Sequence, residues 1–254
     1  ILEILKKKGH EITVWGNTDY FILAKLAGFC EKITFYEPKE NFENCIFFSS
    51  RKDIFTPSEK SVYINPLPEE NIWIVEQYLK KLNLNKHSFS DTLNPKFTIK
   101  REPNLCIVHP GSGSRKKITD IHLFFKLEKL LRNLGFEVLY ILGPAEINLF
   151  KKFKNNVLCI NNSVELTKTL LRAELYIGFD SGVSHLSSYL GIPSVVIFGP
   201  TNPTVWHPIG KKFSIIRYDK CEPCFPKVCD ERKCMDEDFI IQQILLVLSK
   251  NYLL

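Results

Sequence analysis

The chain has 254 residues, enough for one large domain or two small ones. Hydrophobic residues make up 44% and charged residues 24%, which excludes wholesale disorder, and eight cysteines, about 3%, are too few for a disulfide scaffold. The net charge of +6 is mild and dispersed, which excludes a dedicated nucleic-acid binder, and the longest apolar stretches, such as residues 240–248, fall well short of the ~20 needed to span a bilayer.

Residues 1–8 read as the second half of an amphipathic helix, with Ile1, Leu2, Ile4 and Leu5 ahead of three lysines and Gly9 at the C-cap position. Position 1 is not Met and the helix has no N-cap, so the chain is expected to be part of a longer protein. The charges follow the apolar run and no small-residue cleavage site is present, unlike a signal peptide. Residues 11–16 carry β-branched and aromatic residues up to a Gly and predict a strand. Residues 17–28 predict a short helix capped by Asn17, Thr18 or Asp19. Residues 32–36 and 45–48 predict further strands, residues 51–70 a loop, and residues 70–84 a helix from the spacing of Ile72, Val75, Leu79 and Leu82. The polar stretch 85–103, with Pro95 and Pro103, is the expected domain boundary, giving domains over 1–100 and 101–254.

The second half alternates. Strands are predicted over 105–109, 136–142, 157–160, 175–179 and 194–198. Helices are predicted over 119–134, 145–153, 163–172 and 184–190, with a further helix at the C-terminus. This order implies right-handed βαβ units and an α/β fold built on a parallel sheet with helices on both faces. Such sheets bind ligands at the carboxyl ends of their strands.

The chemistry-bearing residues follow strands. His109-Pro110-Gly111-Ser112-Gly113-Ser114 leads into Arg115-Lys116-Lys117. The glycines let backbone approach a ligand, the serines can donate, and a helix start with three cations suits a phosphate or diphosphate; a solvated turn with a basic helix entry is the plainer alternative. The loop is neither a Walker motif nor GxGxxG. Asp180-Ser181-Gly182-Val183-Ser184-His185 is a second such entry. Asp180 can accept from sugar hydroxyls, and Ser181 and Gly182 can donate to phosphate, with His185 nearby. Equally, Asp180 or Ser181 is an ordinary N-cap and His185 a packed or exposed ring. Phe198-Gly199-Pro200-Thr201 and Trp206-His207-Pro208 would wall the same cleft. Glu146, after Leu142-Gly143-Pro144, either binds ribose hydroxyls or simply favours a helix's first turn.

Four cysteines, Cys221, Cys224, Cys229 and Cys234, lie within 14 positions. The CxxC pair is a common half-site for Zn²⁺, but the remaining spacing is not that of a zinc ribbon; packed thiols or disulfides are the other readings. Cys30, Cys45, Cys106 and Cys159 read as core residues.

Taken together, VHPGSGSRKK, ILGPAE, GFDSGVSHLSSYLGIPSVVIFGPTNPTVWHP and CEPCFPKVCDERKCM resemble glycosyltransferase family 9, the ADP-heptose:lipopolysaccharide heptosyltransferases. The resemblance runs over residues 104–236 and more loosely over 1–37. It implies a GT-B fold of two Rossmann-like domains facing a cleft, here with a short or truncated N-terminal acceptor-side domain. It implies an inverting transfer of heptose from ADP-heptose to the lipopolysaccharide inner core, with no cofactor and no metal. Carried onto this chain, Lys116 is expected to act catalytically by stabilising departing ADP. Ser112, Gly113, Glu146, Asp180, Ser181, Gly182 and His185 are expected to bind donor. Ile118-Thr119 stands where the family has Trp-Pro. The family's base is an Asp in a Gly-Asp loop ahead of the first helix, so it is expected upstream of residue 1; Asp19 and Asp53 sit in the wrong context to replace it. The implied partners are the nucleotide-sugar and an anionic lipid acceptor. A monomer is expected, cytoplasmic, at the inner face of the cytoplasmic membrane. Lys6, Lys7, Lys8, Lys25 and Lys32 beside Phe21, Ile22, Leu23 and Phe29 suggest a docking face for anionic lipid, or else a helix end and core residues. Alternatives are a family member with another nucleotide-sugar or acceptor, and a noncatalytic nucleotide-sugar-binding protein.

Overall fold

A computed structural model of the chain describes residues 1–49, 58, 60–85, 88–153, 156–227 and 229–252. Asp53 lies outside the described residues. The chain divides into two compact units, one of residues 1–90 with 94–96, the other of residues 91–93 with 97–254.

In the first unit, α1 (Leu2–Lys7) leads to β1 (Thr13–Trp15), α2 (Thr18–Leu26) and β2 (Lys32–Thr34), with β1 and β2 parallel. Asn17 caps α2 by accepting from the Asp19 amide at 3.0 Å. Ile12, Val14 and Cys30 form a small core with Leu2, Leu5, Phe21, Ala24 and Ile33 packed against it. A second parallel pair, β3 (Asn44–Phe48) and β4 (Lys60–Ile64), precedes α3 (Ile74–Lys81). β4 corrects the loop expected over 51–70: its alternating Val62 and Ile64 are only two apolar positions, a weak signal inside a polar stretch. Of the residues named for a docking face, some are engaged within the unit. Leu23 is buried and Phe21 packs on the core, while Lys6 pairs with Glu31, Lys7 with Glu3 and Lys32 with Glu40.

The second unit is a six-stranded parallel sheet, ordered β10-β9-β8-β5-β6-β7. Its strands are β5 (Leu105–His109), β6 (Glu137–Leu142), β7 (Val157–Cys159), β8 (Leu175–Phe179), β9 (Ser194–Phe198) and β10 (Phe213–Arg217). Every residue of β5, β8 and β9 is buried, as strands covered on both faces require. The intervening helices are α4 (His122–Asn133), α5 (Ser163–Arg172), α6 (Gly182–Tyr189), α7 (Pro203–Trp206) and α8 (Glu237–Tyr252). Leu123, Phe124, Leu127 and Leu131 of α4 and Ile240, Ile244 and Leu248 of α8 pack with Cys106, Val108, Ile177, Phe179, Val195 and Ile197 on one face. α6 covers the other, where the Tyr176 hydroxyl lies 3.0 Å from Ser184 Oγ.

Residues 144–152 form a 3-10 run, with Leu149 packed against the core, where the sequence predicts a short helix over 145–153. β10 and α7 were not expected from the sequence. Among the described residues no helix is long and apolar enough to cross a membrane.

The chain runs outward from β5 to β6 and β7, then returns to β8 on the other side of β5 and continues to β9 and β10. The direction reverses between β5 and β8, which pair from Cys106↔Leu175 to His109↔Gly178. Loops leaving these strands at their carboxyl ends therefore diverge around a crevice, the usual ligand position in an open α/β sheet.

Candidate functional site

The loops after β9, β8, β5 and β6 are tied together in the same order as their strands. Asp180, the first residue after β8, is the hub. It is 4% exposed. Its Oδ2 accepts from Lys117 Nζ at 2.8 Å and from Thr201 Oγ1 at 2.8 Å. His185 Nε2 lies 3.5 Å from Oδ1. The Asp180 carbonyl accepts from Ser112 Oγ at 2.7 Å, which fastens the glycine-rich loop to the α6 entry. Burial pushes the Asp180 carboxyl up, but His185, Lys117 and Thr201 outweigh it and hold the group below the ordinary aspartate value.

Ser181 caps α6, its hydroxyl facing the Ser184 amide at 3.4 Å. Gly182 opens the first turn and is exposed, as is Gly113 in the facing loop, so both leave backbone accessible to a ligand. The His185 side chain is 36% exposed, within reach of both Asp180 and solvent.

The basic turn 115–117 is a 3-10 turn capped by Ser114, whose Oγ accepts from the Lys116 amide at 3.3 Å. Its two lysines part ways. Lys117 turns inward to Asp180 and lies 5.2 Å from the Phe225 ring centroid. Lys116 stays exposed and donates from Nζ to the Pro226 carbonyl at 2.8 Å. Ser112, expected to donate to phosphate, spends its one proton on the Asp180 carbonyl.

On the other flank His109 and Glu146 meet at the ends of β5 and β6, with His109 Nε2 3.8 Å from Glu146 Oε2. That oxygen also accepts from the Gly143 amide at 3.0 Å. The imidazole is the main influence that keeps the Glu146 carboxyl below its ordinary value, against the opposing effect of burial. A Cβ on Gly111 would sit 2.3 Å from the Glu146 carboxyl, so glycine is required for this loop to pass the carboxylate.

The cysteine-rich segment packs on the same edge. The amides of Cys224 and Phe225 donate to the Pro200 carbonyl at 2.9 and 3.0 Å. The Arg232 guanidinium donates to the carbonyls of Lys116 and Ile118 at 3.3 and 2.5 Å. Cys234 is buried, Cys221 packs against the core, and Cys229 is exposed. Among the described residues no group of three or more His, Cys, Asp or Glu side chains is disposed to hold a metal ion.

The structure thus brings Ser112, Asp180, Ser181, Gly182 and His185 together, and sets Glu146 beside His109 at the neighbouring strand end. Sequence reasoning gave no role to Lys117 beyond its charge, and none to His109, Phe225 or Arg232. The Lys-Lys pair itself was the available signal for Lys117, and Thr201 stood in the quoted Phe-Gly-Pro-Thr block.

Known proteins are similar to this chain in sequence and fold. A family model described as glycosyltransferase family 9 (heptosyltransferase) matches residues 74–235. A lipooligosaccharide heptosyltransferase 2 from Campylobacter jejuni is 31% identical over 139 residues, covering 52% of this chain and 42% of that relative's length. Among solved structures, a family 9 glycosyl transferase from Veillonella parvula superposes with a TM-score of 0.74 at 15% identity, covering 98% of this chain and 91% of that one. The E. coli heptosyltransferase WaaC, solved with ADP-2-deoxy-2-fluoro heptose, superposes with a TM-score of 0.67 at 15% identity, covering 97% and 94%.

Proposed function

Because the chain belongs to glycosyltransferase family 9 (heptosyltransferase), we propose that it transfers heptose from ADP-heptose to the inner core of lipopolysaccharide. In this reading the transfer is inverting, needs no metal, and takes place at the cytoplasmic face of the inner membrane. One arrangement supports it above the others: Lys117, Thr201 and His185 converge on the buried carboxylate of Asp180 beside the glycine-rich turn.

The chemistry follows from charge. Breaking the bond between the sugar's anomeric carbon and the diphosphate leaves ADP with additional negative charge. Preorganised cations and backbone N–H groups stabilise that developing charge without reorganising during the step. Lys116, exposed on the turn, is the cation proposed to meet the diphosphate. Lys117, pinned by Asp180, supplies a fixed positive field and holds the turn. Gly113 and the first turn of α6 at Ser181 and Gly182 offer backbone to the phosphates, and His185 flanks them. Glu146 is proposed to accept from the ribose hydroxyls. The part of these residues in the reaction is therefore on the leaving-group side.

A transfer assay with ADP-heptose and heptose-deficient lipopolysaccharide, read by mass spectrometry of the acceptor, tests this. The expected result is acceptor heavier by one heptose. Transfer from a different nucleotide-sugar alone would replace the donor assignment, and donor binding without any transfer would replace the enzymatic reading.

A further inference from the structure

His109 costs stability where it stands. It ends β5 after Leu105, Cys106, Ile107 and Val108, all buried, and its own side chain is 6% exposed. Its Nδ1 is buried with no hydrogen-bond partner. A buried polar atom left unpaired is unfavourable, and an apolar side chain of similar size would avoid that penalty. Nε2 of the same ring faces Glu146 Oε2 at 3.8 Å. The carboxylate is otherwise tightly specified: the Gly143 amide holds Oε2, and the Gly111 backbone passes too close for any Cβ. The Glu146 side chain is 11% exposed, so little of it remains for a ligand to reach.

We infer that His109 is a positioning residue for nucleotide recognition: its Nε2–H fixes the Glu146 carboxylate so that the free lone pairs meet the vicinal hydroxyls of a ribose. This rests on the proposed role of Glu146 as the ribose acceptor. The buried ring acts through the carboxylate, touching no ligand itself. The 3.8 Å separation closes to a hydrogen bond when a diol presses on the carboxylate, as site hydrogen bonds commonly tighten on ligand binding. With Nε2 donating, Nδ1 is the unprotonated nitrogen and stays an unpaired acceptor, so the cost of burying the ring stands.

The test is calorimetric binding of ADP and 2′-deoxy-ADP to the wild type and to four variants. The wild type is expected to prefer ADP by about tenfold, the value of one hydrogen bond to a charged group. Glu146→Gln should bring the preference to within about twofold, and His109→Leu should do the same, both proteins still binding each nucleotide. His109→Gln places an amide N–H near the Nε2 position and should restore most of the preference. His109→Asn places its amide near Nδ1 and should not. If Glu146→Gln loses the preference while His109→Leu keeps it, His109 is not the positioning residue and the ribose reading of Glu146 stands. If Glu146→Gln keeps the preference, the ribose reading fails and the inference with it. Should His109→Leu not fold, equal preferences in the Gln and Asn variants would overturn the proposal.

Discussion

Lys117 Nζ lies 2.8 Å from Asp180 Oδ2, joining the turn after β5 to the entry of α6 through a carboxylate that is 4% exposed. The lysine side chain is 20% exposed, so this pair is largely desolvated. Its geometry is completed by Thr201 on the same oxygen and His185 beside the other. A buried pair of this kind is weak evidence of net stabilisation, but removing one member strands the other.

Asp180→Asn should destabilise the second unit by about 3 kcal/mol, because Lys117 then loses its counter-charge in a half-buried position. The pH dependence has a defined sign. Asp180 is held below its ordinary value in the folded chain, so its contribution is fully present above the unfolded value of about 3.9 and is lost as pH falls through the folded value. Urea unfolding of wild type and variant should diverge at neutral pH and converge in acid. Parallel curves at all pH values would remove Asp180's charge from the account.

Lys116→Ala and Lys117→Met should separate two roles. Lys116 is exposed and its side chain donates to the Pro226 carbonyl, so its loss should leave the melting temperature nearly unchanged. Transfer should fall by roughly 2–4 kcal/mol in kcat/KM, as when one charge-assisted contact to a departing group is removed. Lys117→Met should lower both the melting temperature and kcat/KM, since Asp180 is left without its cation. Near-normal kcat/KM for Lys116→Ala would refute the leaving-group role.

Much of the sheet was legible in the sequence because buried parallel strands are short, apolar and closed by Gly, Pro or a cap. Residues 105–109, 175–179 and 194–198 and the helix over 163–172 have the bounds that the sequence predicts, and the structure adds Asn162 as that helix's cap. β10 was missed because it is an edge strand, only one of its five residues fully buried, that follows Lys211-Lys212 and ends on Arg217. The site was legible as strand-end loops but not as contacts. Lys116 and Lys117 of the 3-10 turn point in different directions, and sequence alone does not say which one turns inward. Nor does it say whether Asp180 faces a ligand or a lysine of its own chain, because that partner is 63 residues away.

Gly178→Ala should destabilise the sheet beside the crevice. Gly178 pairs with His109, and an added Cβ would lie 2.3 Å from the Tyr176 hydroxyl and 3.2 Å from the His109 carbonyl. The Tyr176 ring is fully buried and its hydroxyl faces Ser184 Oγ, so it has little room to yield. Overpacking of this kind costs about 1–3 kcal/mol. A melting temperature equal to wild type would show that the strand end shifts freely.

The cysteines should differ sharply in reactivity. Cys229 is exposed, whereas Cys106 is fully buried in β5 and burial pushes its thiol far up. Timed alkylation followed by peptide mass spectrometry should label Cys229 within the native protein and Cys106 only after unfolding. Early labelling of Cys106 would contradict the packing of β5.

Arg232→Ala should weaken donor binding although Arg232 is placed to touch no donor group. Its guanidinium bridges the carbonyls of Lys116 and Ile118, the backbone that flanks the inward-turned Lys117, while Lys116 reaches back to the Pro226 carbonyl in the same segment. The cysteine-rich segment therefore clasps the basic turn from both sides. Two hydrogen bonds from a charged donor are lost together, and one of them also satisfies a half-buried carbonyl, so the turn gains freedom that donor must remove on binding. The expected result is a donor KM raised by about tenfold with kcat changed much less. Arg232→Lys should recover part of this, because both bonds come from one guanidinium nitrogen, Nη2, and an ammonium also carries more than one N–H. Steady-state kinetics with donor varied at saturating acceptor, alongside melting temperatures, decides the matter. A fall in melting temperature with KM unmoved would make Arg232 a purely structural clasp.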